Sequence, residues 1–179
     1  VFALSRIGIE SAVAIMGTAL TQEHIEMLRR LNVEVRLCLD GDLPGQMNTV
    51  KASKLLQKSG LKFRIVDNQN NPRDPDEIFK EDGPNALRTY LSTLISRPDF
   101  VLNYLKNSNP LKSPEEKKTL IKEYIPILLS IDNVLELDSY IRKISAITGY
   151  EIESINNLNC SASSCSRSNF SCSKRHNMI

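Results

Sequence analysis

An α/β fold, a parallel sheet flanked by helices and followed by an all-helical part, is predicted by three features of the sequence. Val33, Val35, Leu37 and Leu39 alternate with Asn32, Glu34, Arg36 and Cys38, the period-2 pattern of a strand with one buried face. Leu61, Phe63 and Ile65 repeat that pattern against Lys62 and Arg64, and a helix-length segment separates the two strands. Strands joined by a helix are βαβ units and pair in parallel. From Gly83 onward the apolar spacing is helical throughout.

Taken in order, residues Ala12 to Met16 read as a short strand and Gly17 with Thr18 as a turn. A helix from about Gln22 to Leu31 then places Ile25, Leu28 and Leu31 on one face. After the Val33–Leu39 strand, Pro44 opens a helix that ends at Ser59 before Gly60, because proline suits the first turn and glycine the left-handed position past the last. The Leu61–Ile65 strand leads into a polar loop, and Pro84 starts a helix carrying Leu87, Leu91, Leu94 and Ile95. A helix from about Pro98 brings Phe100, Val101, Tyr104 and Leu105 inward. Ser113, Pro114 and Glu116 form a capping box. That helix buries Leu120, Ile121, Tyr124, Ile127 and Leu128 and is expected to kink at Pro126. The last helix runs from about Asn133 to Gly149 with Leu137, Tyr140, Ile141, Ile144 and Ile147 as its stripe. The domain boundaries expected are 1–82 for the α/β part, 83–150 for the helical part and 151–179 for a tail.

The chemistry sits at the end of the Val33–Leu39 strand, in VEVRLCLDGDLPGQ. Residues two apart on a strand project the same way, so Asp40 and Asp42 emerge together beyond its carboxyl end, where open α/β sheets bind ligands. Two neighbouring carboxylates repel unless a cation lies between them, and hard oxygen ligands suit Mg²⁺ or Mn²⁺. The alternative is a strand-to-helix turn in which Asp42 only caps the helix. A second acidic pair, Asp74 and Asp76 in RDPDE, fits an N-cap, a proline at the first helical position and a capping-box glutamate, Glu77; capping and ligation are compatible. His24 reads as an exposed helix histidine, and Lys51, Lys54 and Lys58 as a solvated helix face or a phosphate-facing stripe.

The tail from Asn156 holds seven serines and three of the four cysteines, with few large apolar residues, which predicts disorder. Cys160, Cys165, Cys172 and His176 do not have a structural-zinc spacing. Cys38 reads as a small buried apolar residue. A net charge of +2 leaves no strong nucleic-acid footprint. The sequence has no run of 18 apolar residues and no signal-peptide pattern, so no membrane partner and a cytoplasmic location are expected.

The run MGTALTQEHIEMLRRLNVEVRLCLDGDLPGQ, followed about thirty residues later by RDPDEIFKEDG, resembles the Toprim part of the RNA polymerase domain of bacterial replicative DNA primases. The resemblance extends over roughly residues 1–150, since SPEEKKTLIKEYIPILLSIDNVLELDSYIRKISAITG is similar to the helical subdomain that follows Toprim in that family. It implies a Toprim-like sheet, divalent metal (Mg²⁺ or Mn²⁺), and synthesis of short RNA primers from ribonucleoside triphosphates on single-stranded DNA. Asp40 and Asp42 inherit the catalytic metal-ligand role, and Asp74 with Asp76 match the family's further metal-binding acids. Gly17, Thr18 and Gly45 match turn positions around the crevice.

The departures are specific. An EGYMD-like motif, with its strand and its acids, would precede Val1, so a chain of these residues alone is expected to be inactive. The family's zinc-binding amino-terminal module, the basic first half of its polymerase domain and its helicase-binding domain are not recognised here, so the replicative helicase is expected to be met through a domain absent from this sequence. Leu43 and Pro44 replace a basic or polar residue followed by alanine. Two other classes remain open: another Toprim phosphoryl-transfer enzyme, such as a topoisomerase or nuclease, and a non-catalytic α/β interaction module.

Overall fold

The computed structural model describes residues 1–15 and 19–166, with side chains placed through residue 159. The expected turn at Gly17 and Thr18, the end of the strand at Met16, and Cys172 and His176 of the tail lie outside the described residues. The chain divides into two compact units, Val1–Tyr104 and the residues from Leu105 on.

In the first unit, α1 (Phe2–Arg6) precedes α2 (Gln22–Leu31), β1 (Val35–Leu37), α3 (Leu43–Ser59), β2 (Phe63–Val66), α4 (Pro75–Ser92) and β3 (Leu94–Ile95). Thr21 starts α2 by accepting the His24 N–H, while His24 Nδ1 accepts the Thr21 N–H at 3.1 Å. The histidine thus fills the capping-box place usually taken by glutamate or glutamine. Asn32 ends the helix in the left-handed conformation at φ 49°.

β1 and β2 pair in parallel, Val35 with Phe63 and Leu37 with Ile65, as the βαβ reading requires. β1 is shorter than the alternating run: Val33 is exposed, and the strand exists only where β2 faces it. Residues 12–15 form no strand, and Val13 stands 81% exposed where an inward apolar residue is expected. Alternation over four residues specifies a strand only when a neighbouring ladder accepts its N–H and C=O groups.

The sheet differs from expectation at β3. Leu94 and Ile95, expected as the end of the Pro84 helix, instead pair antiparallel with Val66 and Ile65, and the Asp67 N–H donates to Thr93 O at 2.8 Å. The result is a three-stranded sheet in the order β1-β2-β3 with a parallel pair and one antiparallel strand. Gly83, at φ 85° and ψ −179°, breaks α4 into the two helical segments that Pro75 and Pro84 announce.

One face of the sheet packs on α2 and α3, where Ile25, Leu37, Ala52 and Leu56 are buried with Val35, Leu39 and Phe63 against them. The other packs on α1 and α4 through Val66, Ile78, Leu87, Tyr90 and Leu91, with Cys38 half-buried among them. Arg6 lies over the Phe79 ring, 5.7 Å from its centroid, and ties α1 to α4.

α5 (Arg97–Ser108) contains the division between the units, so the boundary lies about twenty residues beyond the expected 82/83. The pairing of β3 with β2 is the reason: it keeps the segment after Gly83 with the sheet.

The second unit consists of α6 (Pro114–Leu128), α7 (Val134–Thr148) and α8 (Ile152–Ser166), each packed on the other two. Ser113 and Glu116 form the expected capping box, and Leu120, Ile121, Tyr124 and Leu128 are buried. The rings of Tyr124 and Tyr140 meet at 6.4 Å. Pro126 is accommodated within α6 on its exposed side. The expected disordered tail is corrected over its first part. α8 forms because Ile155 and Asn159, four apart on one helix face, are buried within this unit, an anchor too sparse for composition to reveal.

Candidate metal centre

The last residues of β1 hand the chain to α3 through Leu39, Asp40, Gly41 and Asp42. Asp42 is the N-cap of α3: its Oδ1 accepts the Gly45 N–H at 2.8 Å, and Leu43 and Pro44 occupy the first turn. Its Oδ2 makes no hydrogen bond among the described residues. The Asp40 carboxylate is exposed and carries no hydrogen bond or ion pair among them.

Two glycines shape this turn by what they lack. A Cβ on Gly41 would lie 2.5 Å from Asn71 O, 2.8 Å from Asn68 O and 2.9 Å from the Pro72 Cα, so the turn is pressed against the 68–72 loop. A Cβ on Gly45 would overlap the Asp40 carbonyl oxygen. Backbone contact this close admits only hydrogen at those positions.

Beneath the turn lies a polar layer that no motif of the sequence marks. Asn68, 1% exposed, donates from Nδ2 to Leu39 O, and Gln46, 5% exposed, donates from Nε2 to Gly41 O at 2.8 Å. The Tyr90 hydroxyl lies beside the Cys38 thiol and the Asn68 amide without meeting hydrogen-bond geometry. Burial pushes the Cys38 thiol up from its ordinary value of 9.0, and burial pushes the Tyr90 phenol well above 10.0. Cys38 is therefore a neutral thiol under Asp40, in line with its reading as a small apolar residue. Only the position of Gln46, four residues after Asp42 and facing the turn, offered a sequence signal for this layer.

The second acidic pair follows the loop that packs on Gly41. Asp74 caps α4, its Oδ1 accepting the Asp76 N–H at 2.6 Å and the Glu77 N–H at 2.9 Å, and Glu77 Oε2 accepts the Asp74 N–H at 3.1 Å. Asp76 is ion-paired with Lys80, one turn on. Arg73 reaches Glu81 at 3.2 Å and Asp82 at 2.8 Å, closing the loop onto α4. Asp74, Pro75 and Asp76 line a shallow recess with Val1, Phe2 and Ala3.

Among the described residues no three His, Cys, Asp or Glu side chains converge as a ligand cage. The two carboxylates of the turn still fit Mg²⁺, which binds through one or two carboxylates and completes its shell with water and substrate phosphate. Lys51, Lys54 and Lys58 are exposed on α3, the solvated face expected of an amphipathic helix.

Comparison with known proteins identifies the site's setting. Residues 1–79 match the Toprim-like family model, and residues 98–153 match the DnaB-helicase binding domain of primase. The DNA primase of Clostridium acetobutylicum is 31% identical over 155 residues, covering 87% of this chain and 26% of that protein. Over most of its length the chain is similar to DNA primases. The primase of Helicobacter pylori strain J99 is 32% identical over 136 residues, 76% of this chain and 24% of its own length. The chain thus spans about a quarter of the length of these primases. A crystal structure of a DNA primase domain from Pseudomonas aeruginosa superimposes with a TM-score of 0.61 at 26% identity, over 88% of this chain and 50% of that one. The DnaG primase catalytic domain bound to ssDNA shares the fold, with a TM-score of 0.62 over 85% of this chain and 49% of that one. One expectation is corrected by these matches. The sequence is expected to lack a helicase-binding domain, yet residues 98–153 match the model of one.

Proposed function

We propose that this chain supplies the metal-binding part of a DNA primase, a DNA-directed RNA polymerase that joins ribonucleotides into short primers on single-stranded DNA. The observation that carries the reading is the pair Asp40 and Asp42, exposed at the carboxyl end of a parallel strand in a Toprim-matching segment. A divalent cation, Mg²⁺ or Mn²⁺, supplies charge neutralisation on the triphosphate and a template for in-line attack when bound. Asp40 offers its whole carboxylate, and Asp42 offers Oδ2 while Gly45 fixes Oδ1. Asp74 and Asp76 are the second acidic pair of the reading, the N-cap and a first-turn residue of α4, which follows the 68–72 loop that packs on Gly41.

Calorimetric titration of Mn²⁺ into the chain and into an Asp40→Asn, Asp42→Asn double variant tests the metal assignment; binding is expected in the first and lost in the second. Undiminished binding in the variant would leave the carboxylates as turn and cap residues, the reading of a non-catalytic module. In a primase catalytic core containing this chain, the same double variant is expected to abolish primer synthesis on single-stranded template. Relaxation or cleavage of DNA by that core would instead favour a topoisomerase or nuclease.

The match of residues 98–153 supports a second element of the reading, contact with the replicative helicase through this part of the chain. Co-sedimentation with the helicase checks it, and a chain that never enters the helicase fraction would refute it.

A further inference from the structure

We propose that Asn68 and Gln46 are positioning residues that aim Asp40 and Asp42 by holding the peptide group before each. The inference rests on the metal reading above. Leu39 O belongs to the peptide that joins Leu39 to Asp40, and Gly41 O to the peptide that joins Gly41 to Asp42. Asn68 Nδ2 holds the first and Gln46 Nε2 holds the second. A peptide group is planar, so fixing its carbonyl fixes the plane from which the next Cα and its side chain depart. Each aspartate therefore has its own buried amide, one from the loop after β2 and one from α3.

Both amides are satisfied on one side only. Asn68 Oδ1 and Gln46 Oε1 are buried without a hydrogen-bond partner among the described residues. Burying an unpaired carbonyl oxygen costs stability, and an apolar side chain of the same size would fill either place without that cost. What the amides contribute and an apolar residue does not is the N–H directed at the two carbonyls. The flanking contacts have the same effect: Gly45 abuts the Asp40 carbonyl, and Thr49 Oγ1 donates to Gly45 O at 3.0 Å, stiffening the first turn of α3. Ligand orientation of this kind changes metal affinity by roughly 10- to 100-fold when its supports are removed.

The test is Mn²⁺ titration of the full chain and of Asn68→Leu, Gln46→Met, Asp40→Asn and Ile25→Val, with thermal unfolding of each. Ile25 is fully buried between α2 and the sheet and makes none of the hydrogen bonds of the turn, so it serves as a destabilised control. Both amide variants are expected to weaken Mn²⁺ binding about tenfold or more. Ile25→Val should lose thermal stability with its affinity intact. Loss of binding in Asp40→Asn with unchanged affinity in both amide variants overturns the positioning role and leaves the metal reading standing. Unchanged affinity in Asp40→Asn, or no binding by the chain itself, overturns the metal reading and this inference with it. An equal loss of affinity in Ile25→Val, or failure of both amide variants to fold, would show that the two amides serve the scaffold and would equally overturn it.

Discussion

Gly45, at the third position of α3, is seated directly against the carbonyl of Asp40, so the strand that delivers one acid and the helix capped by the other are in backbone contact. Gly45→Ala would drive a methyl group into that carbonyl. The expected outcome is a loss of about 1–3 kcal/mol in unfolding free energy, the range for overpacking. Urea unfolding with linear extrapolation measures it. Mn²⁺ affinity should fall together with stability, since Asp40 is displaced by the same shift.

Asp74 separates capping from ligation by chemistry. Asn caps a helix as well as Asp does, whereas Ala does not. Asp74→Ala is expected to cost about 1 kcal/mol and Asp74→Asn a few tenths. Chemical denaturation of the pair reads the cap. Mn²⁺ titration of Asp74→Asn reads the ligand role, which predicts weaker binding with stability nearly unchanged.

Cys38 makes stability depend on alkaline pH. Its thiol is harder to ionise in the folded chain than at its ordinary value of 9.0, because burial disfavours the thiolate. The folded state therefore keeps a proton that the unfolded state releases. The stabilisation is fully present below pH 9 and is lost as pH rises from there through the folded value. Unfolding free energies at pH 7 and pH 10 should diverge more in the wild-type chain than in Cys38→Ala. An equal decline in both would remove Cys38 from the account.

Gly83 takes φ 85° and ψ −179°, a conformation that residues with a Cβ adopt only under strain. Gly83→Ala is expected to destabilise by about 1–3 kcal/mol. The change touches nothing within 4 Å, so the loss isolates backbone strain from packing. A thermal melt unchanged from wild type would contradict it.

The elements legible in the sequence are those whose determinants are local. Thr21, Asp42, Asp74, Ser113 and Asn133 each announce a helix start, and Gly60 and Gly149 each close one in the left-handed conformation, because capping involves residues within one turn. The elements that were not legible depend on remote partners. Leu94 and Ile95 continue the helical spacing of Leu87 and Leu91, and only Val66 and Ile65 make them a strand. Residues 12–15 alternate without a ladder to join. At the candidate site, the turn that presents Asp40 and Asp42 was legible from residue type and spacing. The amide that holds Leu39 was not, because Asn68 lies 29 residues away in a run of polar residues where nothing marks it out.

The cap at α3 commits one oxygen of Asp42 and leaves the other for the proposed metal. Oδ1 anchors a helix; Oδ2 makes no hydrogen bond among the described residues. A substitution at this position is therefore two experiments at once unless the replacement is chosen with that division in mind. Asn keeps an oxygen for the Gly45 N–H and removes the charge, so it isolates the ligand; Ala removes both and confounds a frayed helix with an emptied coordination shell. Comparing the two assigns any loss of function at Asp42 to one oxygen or the other.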